Sequence, residues 1–387
     1  MRREVARLTV VDVLEQGIAD GTHIGAQLYV SRGGVVVADV ALGRARSDVE
    51  MQTDSLMTWF SMTKAVTAIA VAQQWERGAL DPDDTVMGHL PEFGLPEFGL
   101  PEFGGAGKEA VTIRHLLTHT AGLANADGIL QGTPWRESRA ENLARIYAAT
   151  PEYEPGTRAG YHAAAGMSVL GEVVARVSGV PFDRYVREEI FGPLGMDDCW
   201  IGLPKARYDA YGDRIGFMHT TSGDTPERLR GLDSADVLAE PMPGANGRGP
   251  MNQLGRFYEM LVGHGTREGV RVLSPVTVSA ISARHRTEML DETYGIVMDW
   301  GLGLVVDWYA TGRHSSRRAF GHGGHQSSVA FCDPEHDLVV AVVCNGMPGR
   351  ERHSARLDAI SSAIYIDLGI AEAGDPGRSK PFPLLGL

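Results

Sequence analysis

Apolar positions in this chain follow two kinds of pattern, and the two kinds are segregated. Near the start, MRREVARLTVVDVLEQG spaces its apolar residues around Glu4, Asp12 and Glu15, the pattern of an amphipathic helix. From Gly25 to Gly43 two β-rich runs flank Arg32-Gly33-Gly34, which predicts a hairpin. Near the other end, His325 to Asn345 carries two more such runs around Asp333-Pro334-Glu335-His336-Asp337, a second hairpin. A helical pattern follows over about Ser354 to Leu368. The middle is different. Leu116 to His119, Ala140 to Ala149, Gly166 to Ser178 and Phe182 to Ile190 have apolar residues at three- and four-residue steps. The fold class expected is α/β (α+β): an antiparallel sheet flanked by N- and C-terminal helices. Residues 1–75 and 250–387 would form that domain from both chain ends, with residues 76–249 a mostly helical inserted region.

One segment fits neither pattern. LPEFG occurs three times in succession from Leu90 to Gly104. Proline and glycine in each copy stop a helix, and three pentads are too few for a solenoid. A lengthened surface loop is expected, and a loop that covers a site or meets a partner is the sharper alternative.

Composition then narrows the class. With 43% hydrophobic and 22% charged residues, the 387-residue chain is globular rather than disordered. Its net charge of −13 argues against nucleic acid as a partner, because phosphate binding needs clustered cations. No stretch reaches the roughly 18 apolar residues of a membrane span. Cys199, Cys332 and Cys344 are odd in number and far apart, so free buried thiols are expected. With no signal-peptide pattern at the start, the expected location is cytoplasmic. Only four of the 36 basic residues are lysines: Lys64, Lys108, Lys205 and Lys380. A lysine inside a motif therefore stands out.

Lys64 is such a lysine. Ser61-Met62-Thr63-Lys64 follows Met57-Thr58-Trp59-Phe60, read as extended, and opens a strongly helix-forming stretch that stops at Gly78. Residues at i and i+3 share a helix face, so Lys64 can touch the Ser61 hydroxyl. A serine hydroxyl becomes a nucleophile when a neighbouring base takes its proton. Two later segments hold possible partners. Glu154-Pro155-Gly156 leads to Tyr161-His162-Ala163 just before a helix, where a phenol can be presented. Phe320-Gly321-His322-Gly323-Gly324-His325 opens the late strand. Its glycines permit close backbone approach, and its edge can offer N–H groups to an oxyanion.

In combination, Ser61-x-x-Lys64, Tyr161-x-Ala163 and His322-Gly323-Gly324 resemble the serine β-lactamase and penicillin-binding family. The likeness is to its class C-like branch of esterases and transacylases, and runs from about Ile24 to Leu368. Val111 to Leu123, Phe191 to Met196 and Asp333-Pro334-Glu335 look similar as well. The resemblance implies Ser61 as the acylated nucleophile, with Lys64 and Tyr161 sharing the proton transfers. It also implies an oxyanion hole from the Ser61 and His325 N–H groups, and a pocket lined by His322, Gly323 and Gly324.

Two departures shape the expected substrate. Ala163 stands where β-lactamases use an asparagine, and has no side-chain donor or acceptor. His322 stands where they use a lysine, and a neutral imidazole binds a carboxylate less well. The expected function is an intracellular carboxylesterase forming an acyl-Ser61 intermediate from an ester or related small-molecule acyl substrate, with an acyl acceptor as the second partner. The alternative is a transacylase of secondary metabolism that passes the acyl group to an amine or alcohol. Further alternatives are a β-lactamase- or D-aminopeptidase-type amide hydrolase and a non-catalytic binding protein. No cofactor and no metal are expected. His115 and His119, at i and i+4, offer a rival metallohydrolase, but Leu116 fills the place where a zinc protease motif needs glutamate. Gly244 to Gly249 resembles a phosphate loop only superficially, since no strand precedes it and Pro250 follows, and it is expected to border the pocket. The Gly-x-Ser-x-Gly elbow is absent, since Leu170 follows Ser168 at its second glycine position.

Overall fold

A computed structural model describes residues 8–94, 107–127 and 138–381. The strands β1 (Gly25–Arg32), β2 (Val35–Gly43), β3 (Asp299–Trp300), β4 (Val305–Val306), β5 (Phe320–Gly324), β6 (Ser328–Asp333) and β7 (Leu338–Cys344) form one sheet. Its order is β3-β4-β5-β6-β7-β1-β2, antiparallel throughout. The two chain ends thus meet at β1 and β7, where Ala26 pairs with Cys344 and Arg32 with Leu338. Gly33 and Gly34 both have positive φ, +56° and +75°, the two left-handed positions that a tight β1–β2 turn requires.

The composition of β7, LVVAVVC, shows why the sheet has two covered faces. Val339, Ala341 and Val343 face one apolar core, and Leu338, Val340, Val342 and Cys344 face another. Successive strand residues point to opposite faces, so an uninterrupted apolar strand needs cover on both. On one face lie helices α1 (Thr9–Ala19) and, from the far end of the chain, α5 (Arg350–Asp367). On the other lie α2 (Thr63–Glu76) and α4 (Met251–Val262), with α3 (Ala165–Ser178) packed behind α2. Each of the helical segments expected from the middle of the chain has helical structure in its range, and the last continues from Phe182–Val186 into one π-helical turn, Arg187–Phe191.

Two local expectations change. Phe320–Gly324 does not open the later strand but is a strand of its own, hydrogen-bonded to Ser328–Asp333. The first LPEFG copy ends in a single 3₁₀ turn, Pro91–Phe93, with Phe93 in the core. Its other two copies, 95–104, lie outside the described residues. No helix among the described residues is long and apolar enough to cross a membrane.

Candidate active site

Ser61 is presented by a turn that the surrounding backbone enforces. Met57 and Thr58 pair with Gly249 and Arg248, and the extended run stops there. Trp59 is helical in φ and ψ, and Phe60 is left-handed at φ +48°, so the reading of Met57 to Phe60 as extended is corrected in its second half. The reason is tertiary. The buried Trp59 donates from its backbone N–H to Gly247 O (2.8 Å) and from Nε1 to Gly249 O (3.0 Å), which turns the chain. A 3₁₀ turn, Phe60–Met62, then leads into α2.

Lys64, in the first turn of α2, is fully buried. Its Nζ donates to Ser61 Oγ at 3.0 Å, to Ala163 O at 2.6 Å and to Gly244 O at 2.8 Å. These three acceptors, on three separate segments of the chain, hold Nζ beside Ser61. The Gly244–Pro250 loop therefore supplies part of the cage around Lys64, and Ala245 lines the cavity. Thr67 Oγ1 donating to Pro243 O (2.5 Å) and Gly247 N–H donating to Thr63 Oγ1 (2.9 Å) fasten the loop to α2.

Ser61, Tyr161, Ala163, His322, Gly323, Gly324 and His325 line one cavity of about 450 Å³. The three motifs, spread over more than 260 positions of sequence, thus converge, with Lys64 behind Ser61. Tyr161 is buried, and its ring centroid lies 5.1 Å from Lys64 Nζ. His322 Nδ1 donates to Gly323 O at 2.8 Å, leaving Nε2 as the acceptor nitrogen. Burial, with the Lys64 charge nearby, pulls the His322 pKa down to about 3, so the ring is neutral.

The cavity walls include residues that the sequence reading did not single out. Tyr294, Trp300, Trp308 and Tyr309 form an aromatic side. Tyr294 lies 5.1 Å and Trp300 6.0 Å from Tyr161, centroid to centroid. Two of the chain's six tryptophans, Trp300 and Trp308, line this site, and aromatic density between positions 294 and 309 was the available signal. Gln326, Arg350 and His353 add polar groups.

His115 and His119 do not share a helix face. The helix Ile113–Leu117 ends before His119, which is left-handed at φ +58°. His115 Nδ1 accepts from Thr112 N–H and His119 Nδ1 from His162 N–H, so each has a local hydrogen-bonding role. The three cysteines are free and buried.

Comparison with known proteins bears on the family and the fold. Residues 10–364 match the family described as Beta-lactamase. The chain is 30% identical over 261 residues to the esterase EstB of Burkholderia gladioli, covering 64% of this chain and 62% of that protein. It is 29% identical over 287 residues to a monacolin J acid methylbutanoyltransferase of Aspergillus terreus, covering 71% and 67%. The crystal structure of a family VIII carboxylesterase superposes with a TM-score of 0.75 at 26% identity, over 92% of this chain and 96% of that one.

Proposed function

The chain belongs to the β-lactamase family and is a serine acyl enzyme, and from that premise we propose that it is a carboxylesterase with Ser61 as nucleophile. The observation that carries this reading is the buried Lys64 ammonium 3.0 Å from Ser61 Oγ on the wall of an aromatic cavity. Negative charge developing on Oγ is stabilised there by a cation that two further carbonyls hold in place.

In the first half-reaction Ser61 Oγ bonds to the acyl carbon, and the carbonyl electrons move to an oxyanion received by the Ser61 and His325 N–H groups. The Ser61 proton passes to the Tyr161 oxygen while the Tyr161 proton passes to the alkoxy oxygen, the Lys64 ammonium stabilising the charge, and the ester C–O bond breaks to release an alcohol. In the second, the oxygen of a water bonds to the acyl carbon as its proton passes to the Tyr161 oxygen and the Tyr161 proton passes to Ser61 Oγ, which leaves.

Apart from Arg350, the described lining residues include no lysine, arginine or carboxylate, which favours neutral acyl groups. His322 is uncharged, Ala163 offers no side-chain polar atom, and the aromatic side is apolar. The neutral His322 and the missing polar atom at Ala163 reduce recognition of an amide substrate bearing a carboxylate beside the scissile bond. A second reading is acyl transfer to an amine or alcohol. It is favoured by the cavity of about 450 Å³, which has room for an acceptor beside a short acyl chain. Both readings share the acyl-Ser61 intermediate.

The test is a serine-directed fluorophosphonate followed by peptide mass spectrometry, with hydrolysis of p-nitrophenyl esters measured in parallel. An adduct on Ser61 that abolishes ester turnover is expected. An adduct elsewhere, or turnover that survives full labelling, overturns the assignment. Tight ester binding without any adduct supports a binding protein instead.

A further inference from the structure

Tyr161 sits on a peptide segment whose hydrogen bonds can be followed one by one. The Gly160 N–H donates to the backbone carbonyl of His119 at 3.0 Å. Tyr161 N–H donates to Asp291 Oδ1 at 3.2 Å, and Thr293 Oγ1 donates to Tyr161 O at 3.4 Å. His162 N–H donates to His119 Nδ1 at 3.0 Å. One residue, His119, therefore grips the chain on both sides of Tyr161, once with its backbone and once with its side chain. Its ring also lies against the phenol, 4.6 Å between centroids.

We infer that His119 is a positioning residue for Tyr161, setting the phenol's place in the cavity through the Gly160 and His162 N–H groups. This inference rests on the reading that Tyr161 takes part in proton transfer.

Three features favour this over ordinary core packing. His119 is fully buried yet left-handed at φ +58°, a conformation that non-glycine residues adopt at a cost. That conformation lets its carbonyl and its Nδ1 both reach the same strand of chain. Second, the ring must stay neutral for Nδ1 to accept. Burial, with the His162, Arg286, Lys64 and His322 groups around it, holds its pKa well below the usual histidine value. Third, the clamp is itself anchored. Arg286 donates to Thr118 O at 2.9 Å and to Asp291 Oδ2 at 3.0 Å, so the residue before His119 and the carboxylate on Tyr161 N–H share one guanidinium.

The chemistry of the side chain supplies the test. Asparagine places Oδ1 where histidine places Nδ1 and tolerates a left-handed backbone. Glutamine has similar bulk but moves its acceptor one bond farther out. His119→Asn, His119→Gln and Tyr161→Phe are compared in the full chain by kcat and KM for p-nitrophenyl butyrate, by the rate of fluorophosphonate labelling at Ser61, and by thermal unfolding. The expected result is His119→Asn within about threefold of the parent in kcat. His119→Gln should lose about tenfold or more in kcat and labelling rate, with KM within about twofold. If His119→Gln does not fold, His119→Asn alone decides: near-parent kcat supports the clamp, and a kcat as low as that of Tyr161→Phe overturns it. Equal loss in both variants, loss in neither, a change in KM alone, or failure of both to fold each overturns it. Full turnover by Tyr161→Phe removes the role of Tyr161 and the clamp with it. An inactive Tyr161→Phe beside a fully active His119→Gln removes the clamp alone.

Discussion

Gly324 lies directly against the backbone of Trp59: a Cβ built on Gly324 would come within 2.5 Å of the Trp59 carbonyl oxygen. Strand β5 and the turn that presents Ser61 are thereby held in contact, and the spacing between Ser61 and β5 depends on the absence of one methyl group. The same Cβ would lie 2.1 Å from Ser328 Oγ, on the strand paired with β5. Gly324→Ala should therefore push β5 from the Ser61 turn. A stability loss of roughly 1–3 kcal/mol is expected in urea unfolding, with kcat falling about tenfold or more. Parent-like kcat in this variant would show that the spacing is not critical.

Ser61→Ala should leave ester turnover at the level of the uncatalysed reaction while the protein stays folded, because Ser61 is only partly buried and its side chain is small. Lys64→Met should be inactive and also less stable. Ala163 O and Gly244 O would each lose a buried donor, at roughly 1–3 kcal/mol per group. Burst kinetics and chemical unfolding separate the two effects.

Acid should destabilise the fold before its carboxylates titrate. His162 and His322 are both pulled down to about 3 by burial, with Lys64 adding to the shift in each. Between about pH 3 and the unfolded value of 6.5, the unfolded chain binds protons that these histidines refuse in the native state. Native stability therefore falls as pH drops through that window, with a slope of up to about 1.4 kcal/mol per pH unit for each histidine. Urea midpoints measured from pH 7 to pH 4 should show this, and His322→Gln should lower the slope. An unchanged slope in that variant would count against a neutral His322.

Lys380 offers a way to loosen the aromatic wall from behind. Its Nζ donates to Trp308 O (3.2 Å), Thr311 Oγ1 (2.9 Å) and Ser315 Oγ (2.6 Å), and pairs with Asp307 at 3.0 Å. Trp308 and Tyr309 line the cavity on the other side of that backbone. Lys380→Met should raise KM for aryl esters by roughly fivefold and change kcat less, since no group at Ser61 is touched. A loss confined to kcat would contradict this division.

The hairpins at both chain ends, the helices between them and the order of the three motifs were legible because each depends on neighbours within about four residues. Alternation of faces, helical spacing and a Gly-Gly turn are local properties, and Ser61 to Lys64 is one helical turn. The left-handed Phe60, the aromatic side of the cavity and the grip of His119 on Tyr161 were not. Phe60 turns because Trp59 is held by Gly247 and Gly249, nearly 190 positions away. The cavity wall comes from residues 294–309, where the strands are two residues long and periodicity is too brief to read. The sequence by itself determined the two hairpins, β1–β2 and β6–β7, that meet at the chain ends, and the order of the three candidate motifs. Only the tertiary structure decided how the side chains of those motifs face one another, because their positions are set by hydrogen bonds and packing between segments that share no local pattern.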